Sequence, residues 1–453
     1  MKNDFNCNFR DKTLLWLAAI IIAQHLLFLA FFPPILEPDS VSYISLGRQL
    51  ADTFSFESGR RLPGYPALLA LCYGLFGQSQ MPVVIFQHLL GLAIYFMFLP
   101  LVPGRRAKIF FSSFVFCDIL FTSYQHALLP ETVFAFLLCA AGFEFRNYAT
   151  TGKGLHLLLC GTLLAAGTFM KPVLKLFPFL ILLLLLAGRR TTRQKLAASA
   201  LFLCVPLLSV WAWSYNNYRH KGVFALLPFE SVHYVGRFVT HLEFPEGSFA
   251  RRAFLDKIAA FPPSMPIEAQ RRLAASVIAE LKQEKNLNDG EINAEFVRIA
   301  KLSMLRHPFI YAKETLIEAF YFFFSAHNLY AKYALKDRLL FSVKDGLRNR
   351  QYLSVLLKVG VSLHPLYWLM FLLAVYFTVC NWRAIISGSN PLLNYAYAAI
   401  FYITALSCLV NEGLSRYRMP LQPFMILMAT LALERLFARK IQLNFSGRLK
   451  DEG

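Results

Sequence analysis

The chain has 453 residues, of which 57% are hydrophobic and only 16% are charged. Soluble domains carry nearer a quarter of charged residues, and several apolar runs here reach the length that crosses a bilayer. These values exclude an ordinary soluble protein and indicate an all-α polytopic membrane protein. The formal net charge of +19 falls mainly in short loops between the runs, as the positive-inside bias requires. Anionic lipid and phosphate are therefore the expected partners, and nucleic acid is not.

The cysteines and histidines give no sign of a metal site. Seven of the eight cysteines lie inside apolar runs, where cysteine behaves as a small buried hydrophobe. His233 and His241 in the largest polar segment have no cysteine near them, so we expect solvated histidines. These cysteines and histidines predict neither a disulfide framework nor a metal site.

The first span covers residues 14–32, and basic residues before it predict a cytoplasmic N-terminus. Two prolines then end the helix. The loop 33–63 is expected outside the cytoplasm, with a short interfacial helix that is capped by Asp39 or Ser40 and runs to about Asp52.

Further spans follow up to the largest polar segment. A short apolar piece at 63–76 precedes the predicted spans 82–102, 109–124, 131–146, 155–170, 173–187 and 196–215. Counting alternate crossings places Asp39, the pair Arg60 and Arg61, Glu131 and Lys171 on the same, non-cytoplasmic face. The charge bias and the polar side chains agree on this placement.

The chain divides into three parts by composition. Residues 1–216 form an N-terminal transmembrane module, 217–352 a mainly extracytoplasmic helical insertion, and 353–453 the C-terminal spans with a basic tail. The insertion holds predicted helices at 267–285 and from Glu291. The aromatic run 309–324 either crosses the membrane or lies at its surface, and the second interpretation puts the C-terminal tail in the cytoplasm. Spans at 354–380, 392–409 and 420–437 complete about ten to eleven crossings.

The first loop carries the residues most suited to chemistry. Asp39 is a candidate general base for an acceptor hydroxyl, or a ligand for a divalent cation; the alternative is a helix cap. Arg60 and Arg61 can grip phosphate oxygens in a bidentate manner. Their alternative is contact with lipid headgroups at the membrane surface.

Other candidates stand at the ends of later spans. Glu131 is either a second carboxylate of the same cavity or a favourable charge at a helix start. Lys171 and Lys175 either hold the phosphate of a lipid carrier or reach to the membrane surface. Arg416 and Tyr417 would meet the same phosphate if their loop is extracytoplasmic, and otherwise they belong to an ordinary basic loop.

Motifs for nucleotide binding do not occur in the sequence. It has no GxxxxGK[ST] loop, no GxGxxG after a strand and no nucleophile elbow. An ATP-driven transporter or an enzyme that uses nucleotide sugars is therefore not supported.

Several short motifs, in this order, resemble those of GT-C membrane glycosyltransferases. The likeness is greatest to the protein O-mannosyltransferase-like group, which includes the lipid A aminoarabinose transferases. The motifs are Asp39-Ser40-Val41-Ser42-Tyr43-Ile44, Arg61-Leu62-Pro63-Gly64-Tyr65-Pro66, Leu129-Pro130-Glu131-Thr132, Gly167-Thr168-Phe169-Met170-Lys171-Pro172, the segment 213–222 and Arg416-Tyr417-Arg418-Met419-Pro420.

The resemblance implies a GT-C-type bundle with an active-site loop outside the cytoplasm. It implies transfer of a single sugar from a polyprenyl-phosphate donor to an extracytoplasmic glycolipid, polysaccharide or protein. The compact loops and the lack of targeting signals favour a bacterial inner membrane, with a eukaryotic secretory membrane as the alternative. Asp39 matches the catalytic carboxylate of the family's first loop, and Lys171 matches a residue at the carrier cavity. Tyr65 lies in the matching motif and is predicted to contact substrate. Ser40 stands where several members have a glutamate, so a paired carboxylate is not carried over.

A second class of function fits the same features. A transporter or flippase for an anionic lipid or solute would also need a basic cavity without a nucleotide site. Transporters are often built from matched halves with helices broken at corresponding positions, and the sequence shows no such repeat. Movement of substrate across vesicles without a change in its mass distinguishes this class from a transferase.

Overall fold

The computed structural model describes residues 12–56, 58, 61–188, 190–228, 231–237, 239–259, 267–285, 287–324, 364–386, 390–410 and 415–451. Within these ranges the regular structure is helical, and the one extended pairing is a parallel bridge between Ile35 and Ala127. Six helices are long and apolar enough to cross a membrane, and shorter apolar helices accompany them. The chain is an all-α polytopic membrane protein, which confirms the class that composition indicates.

Ten helices of the first half alternate with short connections. They are α1 (Lys12–Phe31), α2 (Pro38–Thr53), α3 (Gly64–Phe76), α4 (Met81–Phe98), α5 (Gly104–Cys117), α6 (Ile119–Gln125), α7 (Glu131–Thr151), α8 (Gly154–Met170), α9 (Phe177–Ala187) and α10 (Thr192–Lys221). A 3-10 turn at Pro172–Leu176 joins α8 to α9. Gly222 ends α10 in the left-handed region, at φ +69°, where a residue without a Cβ is favoured.

Nine further helices are described in the second half. They are α11 (Ser231–Gly236), α12 (Arg251–Ala259), α13 (Ile267–Lys285), α14 (Asp289–Arg306), α15 (Pro308–Phe324), α16 (His364–Ile386), α17 (Pro391–Val410), α18 (Ser415–Arg418) and α19 (Gln422–Asp451). The helices predicted at 267–285 and from Glu291 correspond to α13 and α14.

The buried apolar side chains form two separate cores. The larger one joins the N-terminal helices to α15, α16, α17 and α19. The smaller one lies among α11 to α14 and includes Phe254, Leu273 and Phe296. A separate core agrees with the predicted insertion. The boundaries of that insertion, residues 217 and 352, stay predictions.

The start of α2 differs from the sequence prediction. Pro38 occupies the first helical position and Glu37 is the N-cap, since proline has no N–H to leave unpaired there. The Glu37 N–H donates to Ser40 Oγ at 2.9 Å. The prediction of Asp39 or Ser40 as the cap is therefore wrong, and Asp39 has its carboxylate available for other bonds.

The predicted span 109–124 is interrupted. Asp118 separates α5 from α6, and its Oδ1 accepts the N–H of Phe121 at 3.1 Å. A carboxylate that caps a new helix competes with the continuation of the old one, so the prediction of one continuous span is wrong.

Some predicted elements stay untested. The run 309–324 corresponds to α15, which is not among the six full-length candidates, and its place at the membrane surface stays a prediction. The start of the span 354–380 and Arg60 lie outside the described residues. The total of ten to eleven crossings also stays a prediction.

Gly64 sits where α3 meets the end of α8. A Cβ added at Gly64 would lie 2.6 Å from the carbonyl oxygen of Phe169, and a backbone atom yields less easily than a side chain. We expect Gly64→Ala to lower the free energy of unfolding by about 1–3 kcal/mol, as measured by thermal unfolding in detergent. Gly74→Ala is the control, because nothing lies within 4 Å of its added Cβ and alanine favours helix. Equal stability of the two variants would contradict the close contact.

Candidate functional site

Five charged side chains from five separate segments meet at one place in the bundle. Asp39 comes from α2, Arg61 from the loop before α3, Glu131 from the first turn of α7, Lys171 from the end of α8, and Arg416 from α18. We call these five residues the charged cluster. The fold brings together residues that are up to 377 positions apart.

Both oxygens of Asp39 are bonded to guanidinium groups. Oδ1 accepts from Arg61 Nη2 at 2.6 Å, and Oδ2 accepts from Arg416 Nη2 at 2.7 Å. Burial alone would raise the pKa of Asp39, but Arg416 and Arg61 together hold that pKa well below its usual range. The carboxylate is therefore ionised at neutral pH. About a third of its side chain, 31%, is exposed, so it stays within reach of a ligand.

Glu131 is the buried centre of the charged cluster. Its Oε1 accepts from Lys171 Nζ at 2.9 Å and from Arg416 Nε at 2.6 Å. Its side chain has 0% exposure, and a carboxylate in the first turn of a helix is stabilised by the helix dipole. Glu131 was predicted as a second catalytic carboxylate, and its burial between two cations favours a role in positioning them.

Aromatic and hydroxyl groups hold the three cations from the side. Arg61 Nε donates to Ser42 Oγ at 3.1 Å, and its guanidinium carbon lies 4.6 Å from the ring centroid of Tyr43. The ring of Tyr417 lies 5.1 Å from Lys171 Nζ. Such contacts stabilise a cation without supplying a negative charge. The rings thus help to hold the cations in place without adding negative charge.

The charged cluster has a net charge of +1 when all its members are ionised, because it joins three cations to two carboxylates. This excess suits one singly charged phosphodiester. Arginine pairs with phosphate oxygens in a bidentate way, and lysine adds a compact point charge.

The remaining predicted site residues lie behind or beside the charged cluster. Tyr65 is fully buried, donates its hydroxyl to Gln87 Oε1 at 2.9 Å and packs edge-on against Tyr43. Because no part of the Tyr65 side chain is exposed, the structure does not support its predicted contact with substrate, which stays a prediction. Lys175 lies in the last turn of the 3-10 segment after Lys171 and is half-buried.

The two arginines of the Arg416-Tyr417-Arg418 motif have different surroundings. Arg416 joins the charged cluster, whereas Arg418 is fully buried, donates to the carbonyl oxygen of Phe322 and lies over the ring of Tyr367. Residues two apart on a helix point in nearly opposite directions. The sequence analysis did not assign different roles to Arg416 and Arg418, although their spacing of two residues predicts that their side chains point to different sides of the helix.

The described part of the chain holds no group of three His, Cys, Asp or Glu side chains arranged as metal ligands. His241 lies instead against the ring of His307, with centroids 5.9 Å apart. A divalent cation at Asp39 fits poorly, because both carboxylate oxygens are already bonded to arginines.

A known protein family is similar to the N-terminal part of the chain. The family model described as dolichyl-phosphate-mannose-protein mannosyltransferase matches residues 60–213. This stretch resembles a glycosyltransferase family. It is about a third of the chain and contains three members of the charged cluster, Arg61, Glu131 and Lys171. The resemblance to the protein O-mannosyltransferase-like group is confirmed over this stretch, whereas Asp39 and Arg416 lie outside it.

Two solved structures are similar to the chain, and no curated protein matches it. They are crystal structures of ArnT from Cupriavidus metallidurans. The one bound to undecaprenyl phosphate is 12% identical with a TM-score of 0.38, and the one in the apo state is 13% identical with a TM-score of 0.36. Each match covers 92% of this chain and 77% of that one.

Proposed function

We propose that the protein is a membrane glycosyltransferase that moves one sugar from a polyprenyl-phosphate donor to an acceptor outside the cytoplasm. The observation that carries the proposal is the charged cluster, in which Arg61, Lys171 and Arg416 surround two carboxylates. The family match over residues 60–213 supports the same class of reaction. A bacterial inner membrane is the location that we propose.

The charge on the phosphate explains why three cations are needed. A polyprenyl-phosphate sugar carries one negative charge, which the excess positive charge of the cluster balances. When the bond between the anomeric carbon and the phosphate oxygen breaks, the electron pair leaves with the phosphate. Cations held in place before the reaction stabilise this developing charge at little cost in reorganisation.

Asp39 accepts the proton of the acceptor hydroxyl in the proposed reaction. The acceptor oxygen then forms the bond to the anomeric carbon. In the structure both Asp39 oxygens are bonded to arginines, and the loss of one of these bonds makes the carboxylate a stronger base. The donor phosphate competes for the same guanidinium N–H groups. Donor binding therefore frees Asp39, and the donor binds before the acceptor.

A groove between α15, α16 and α17 suits the lipid part of a donor. It has a volume of about 560 Å³, and its lining is almost entirely apolar, with Phe323, Trp382 and Phe401 among the side chains. Helices α15 and α17 both contact α18, which carries Arg416. A prenyl chain bound in this groove would lie among helices that continue to the charged cluster.

The proposed activity is tested by comparing envelope glycolipids and glycoproteins by mass spectrometry. The strains carry the wild-type protein, Asp39→Asn or the control Asp52→Asn at matched membrane levels. Asp52 is exposed on the same helix as Asp39. We expect a species lighter by one sugar in the Asp39→Asn strain alone. Identical products in all three strains would contradict the role of Asp39, and movement of an unmodified substrate across vesicles would favour a flippase.

Lys171 is expected to bind the carrier phosphate. A hydrogen bond to a charged group contributes about 1.5–3 kcal/mol, so Lys171→Met should weaken the binding of undecaprenyl phosphate by about 10- to 100-fold. Binding is measured with the protein in lipid nanodiscs. Lys175→Met is the comparison, because its side chain follows one turn later. An equal loss in both variants would place the phosphate nearer to the 3-10 turn.

A further inference from the structure

Three buried histidines form a continuous chain of hydrogen bonds inside the N-terminal bundle. His25 Nδ1 lies 3.0 Å from His88 Nδ1, and His88 Nε2 lies 3.0 Å from His126 Nδ1. His126 Nε2 lies 2.9 Å from the carbonyl oxygen of Phe32. Polar side chains within apolar spans are costly and mark functional positions. We call these three residues the histidine chain.

The end of the histidine chain sets the protonation of every member. A carbonyl oxygen can only accept, so His126 Nε2 carries the proton that is donated to Phe32. Neutral His126 then accepts at Nδ1 from the Nε2–H of His88. Neutral His88 in turn accepts at Nδ1 from His25. One tautomer of each ring satisfies all three bonds, and the histidine chain therefore has a direction that ends at Phe32.

Phe32 is the first residue of the connection that leads to Asp39. The N–H of Ile35 donates to the carbonyl oxygen of His126 at 3.0 Å, and the N–H of Leu128 donates to that of Ile35 at 3.0 Å. These bonds join the connection before α2 to the connection before α7. Asp39 stands at the start of α2 and Glu131 at the start of α7, so the two connections place the two carboxylates of the charged cluster.

Helix α4 holds the second connection through adjacent side chains. Gln87 Nε2 donates to the carbonyl oxygens of Gln125 and Ala127 at 2.9 Å and 2.7 Å, while His88 bonds to His126. The path from α4 to the first loop is thus made of buried hydrogen bonds, which allow few alternative arrangements.

We propose that His126, the last member of the histidine chain, positions the first loop, so that Asp39 is held at a fixed distance from Glu131 and its cations. This inference rests on the proposed function, since it concerns the geometry of the same site. The three histidines lie outside the charged cluster, and His126 acts through its hydrogen bond to the backbone of the loop.

Two substitutions of His126 separate its two bonds. His126→Gln places an amide N–H near the original Nε2 and keeps the bond to Phe32, but it gives up the bond to His88. His126→Asn keeps an acceptor for His88 but no longer reaches Phe32. The control is Tyr95→Phe, which removes another buried hydrogen bond of α4, the one at 2.8 Å to Ser112 Oγ.

Hydrogen exchange of the Ile35 and Leu128 amides gives a readout that does not depend on activity. In nanodiscs we expect about tenfold faster exchange in His126→Asn, with wild-type rates in His126→Gln and Tyr95→Phe. Unchanged exchange in His126→Asn, or equally fast exchange in all three variants, would overturn the positioning role.

The kinetics of sugar transfer then test whether the position of the loop affects the reaction. We expect kcat of His126→Asn to fall by about 10- to 100-fold at an unchanged KM for the donor, and His126→Gln to restore it. Equal kcat values in these two variants would also overturn the inference. A wild-type protein without transferase activity would contradict the proposed function, and the exchange rates would still decide whether His126 holds the loop.

Discussion

Asp39→Asn should abolish sugar transfer and leave the binding of undecaprenyl phosphate unchanged or tighter. Removing a general base lowers kcat by about 10²- to 10⁴-fold. The same substitution removes the anion that occupies Arg61 and Arg416, so these guanidinium groups become more available to phosphate. A loss of kcat without a loss of donor affinity indicates an interaction made only in the transition state.

The matched variant for this prediction is Arg416→Met, which removes the cation of the ion pair between Asp39 and Arg416. It should weaken lipid binding, whereas Asp39→Asn should not. Binding is measured in nanodiscs, and transfer is followed by the mass of the product. If Asp39→Asn weakened the binding of undecaprenyl phosphate as much as Arg416→Met does, competition between the carboxylate and the phosphate would be excluded.

The sequence predicts most of the charged cluster but not its bonds. Asp39, Arg61, Glu131 and Lys171 stand at the ends of apolar runs, and the alternation of crossings puts them on one side. The sequence leaves the role of Arg416 open. Whether its loop lies inside or outside the cytoplasm depends on whether the run 309–324 crosses the membrane. Its bond to Asp39 joins residues 377 positions apart, and no local pattern predicts such a contact.

The wrong prediction of the N-cap of α2 has a local cause, because several neighbouring residues can cap a helix. Glu37, Asp39 and Ser40 are all polar and follow the same pair of prolines, so composition does not choose among them. Pro38 does, since proline is favoured at the first helical position and the cap is then the residue before it. The position of this one proline leaves Asp39 free to bond with the arginines.

The sequence contains a pattern that points to the histidine chain, and overall composition does not reveal it. Each of its members follows a glutamine within or beside an apolar run, in the pairs Gln24-His25, Gln87-His88 and Gln125-His126. A single buried histidine is ordinary, but three occurrences of a pair that is costly in an apolar run indicate that these polar side chains share partners. Their order and their end at Phe32 depend on how α1, α4 and α6 pack, and that is set by tertiary contacts.

Glu131→Gln should cause the largest loss of stability among substitutions in the charged cluster. Glu131 is fully buried and bonded to Lys171 and Arg416, and removing one partner of a buried ion pair leaves uncompensated charge. We expect the free energy of unfolding to fall by about 3–5 kcal/mol. The control is Glu144→Gln on the same helix. Glu144 is only partly buried, with 22% of its side chain exposed, and its partner His156 is charged only when protonated, so Glu144→Gln should cost less stability.

A double substitution separates charge pairing from packing. If the loss in Glu131→Gln comes from unpaired cations, adding Lys171→Met should recover part of the stability, because removal of both partners costs less than removal of one. Thermal unfolding in detergent of the two single variants and the double variant gives the coupling energy. Additive losses would mean that Glu131 and Lys171 act independently. A positive coupling would make Glu131 the residue that holds the cations in place for Asp39 and the donor phosphate.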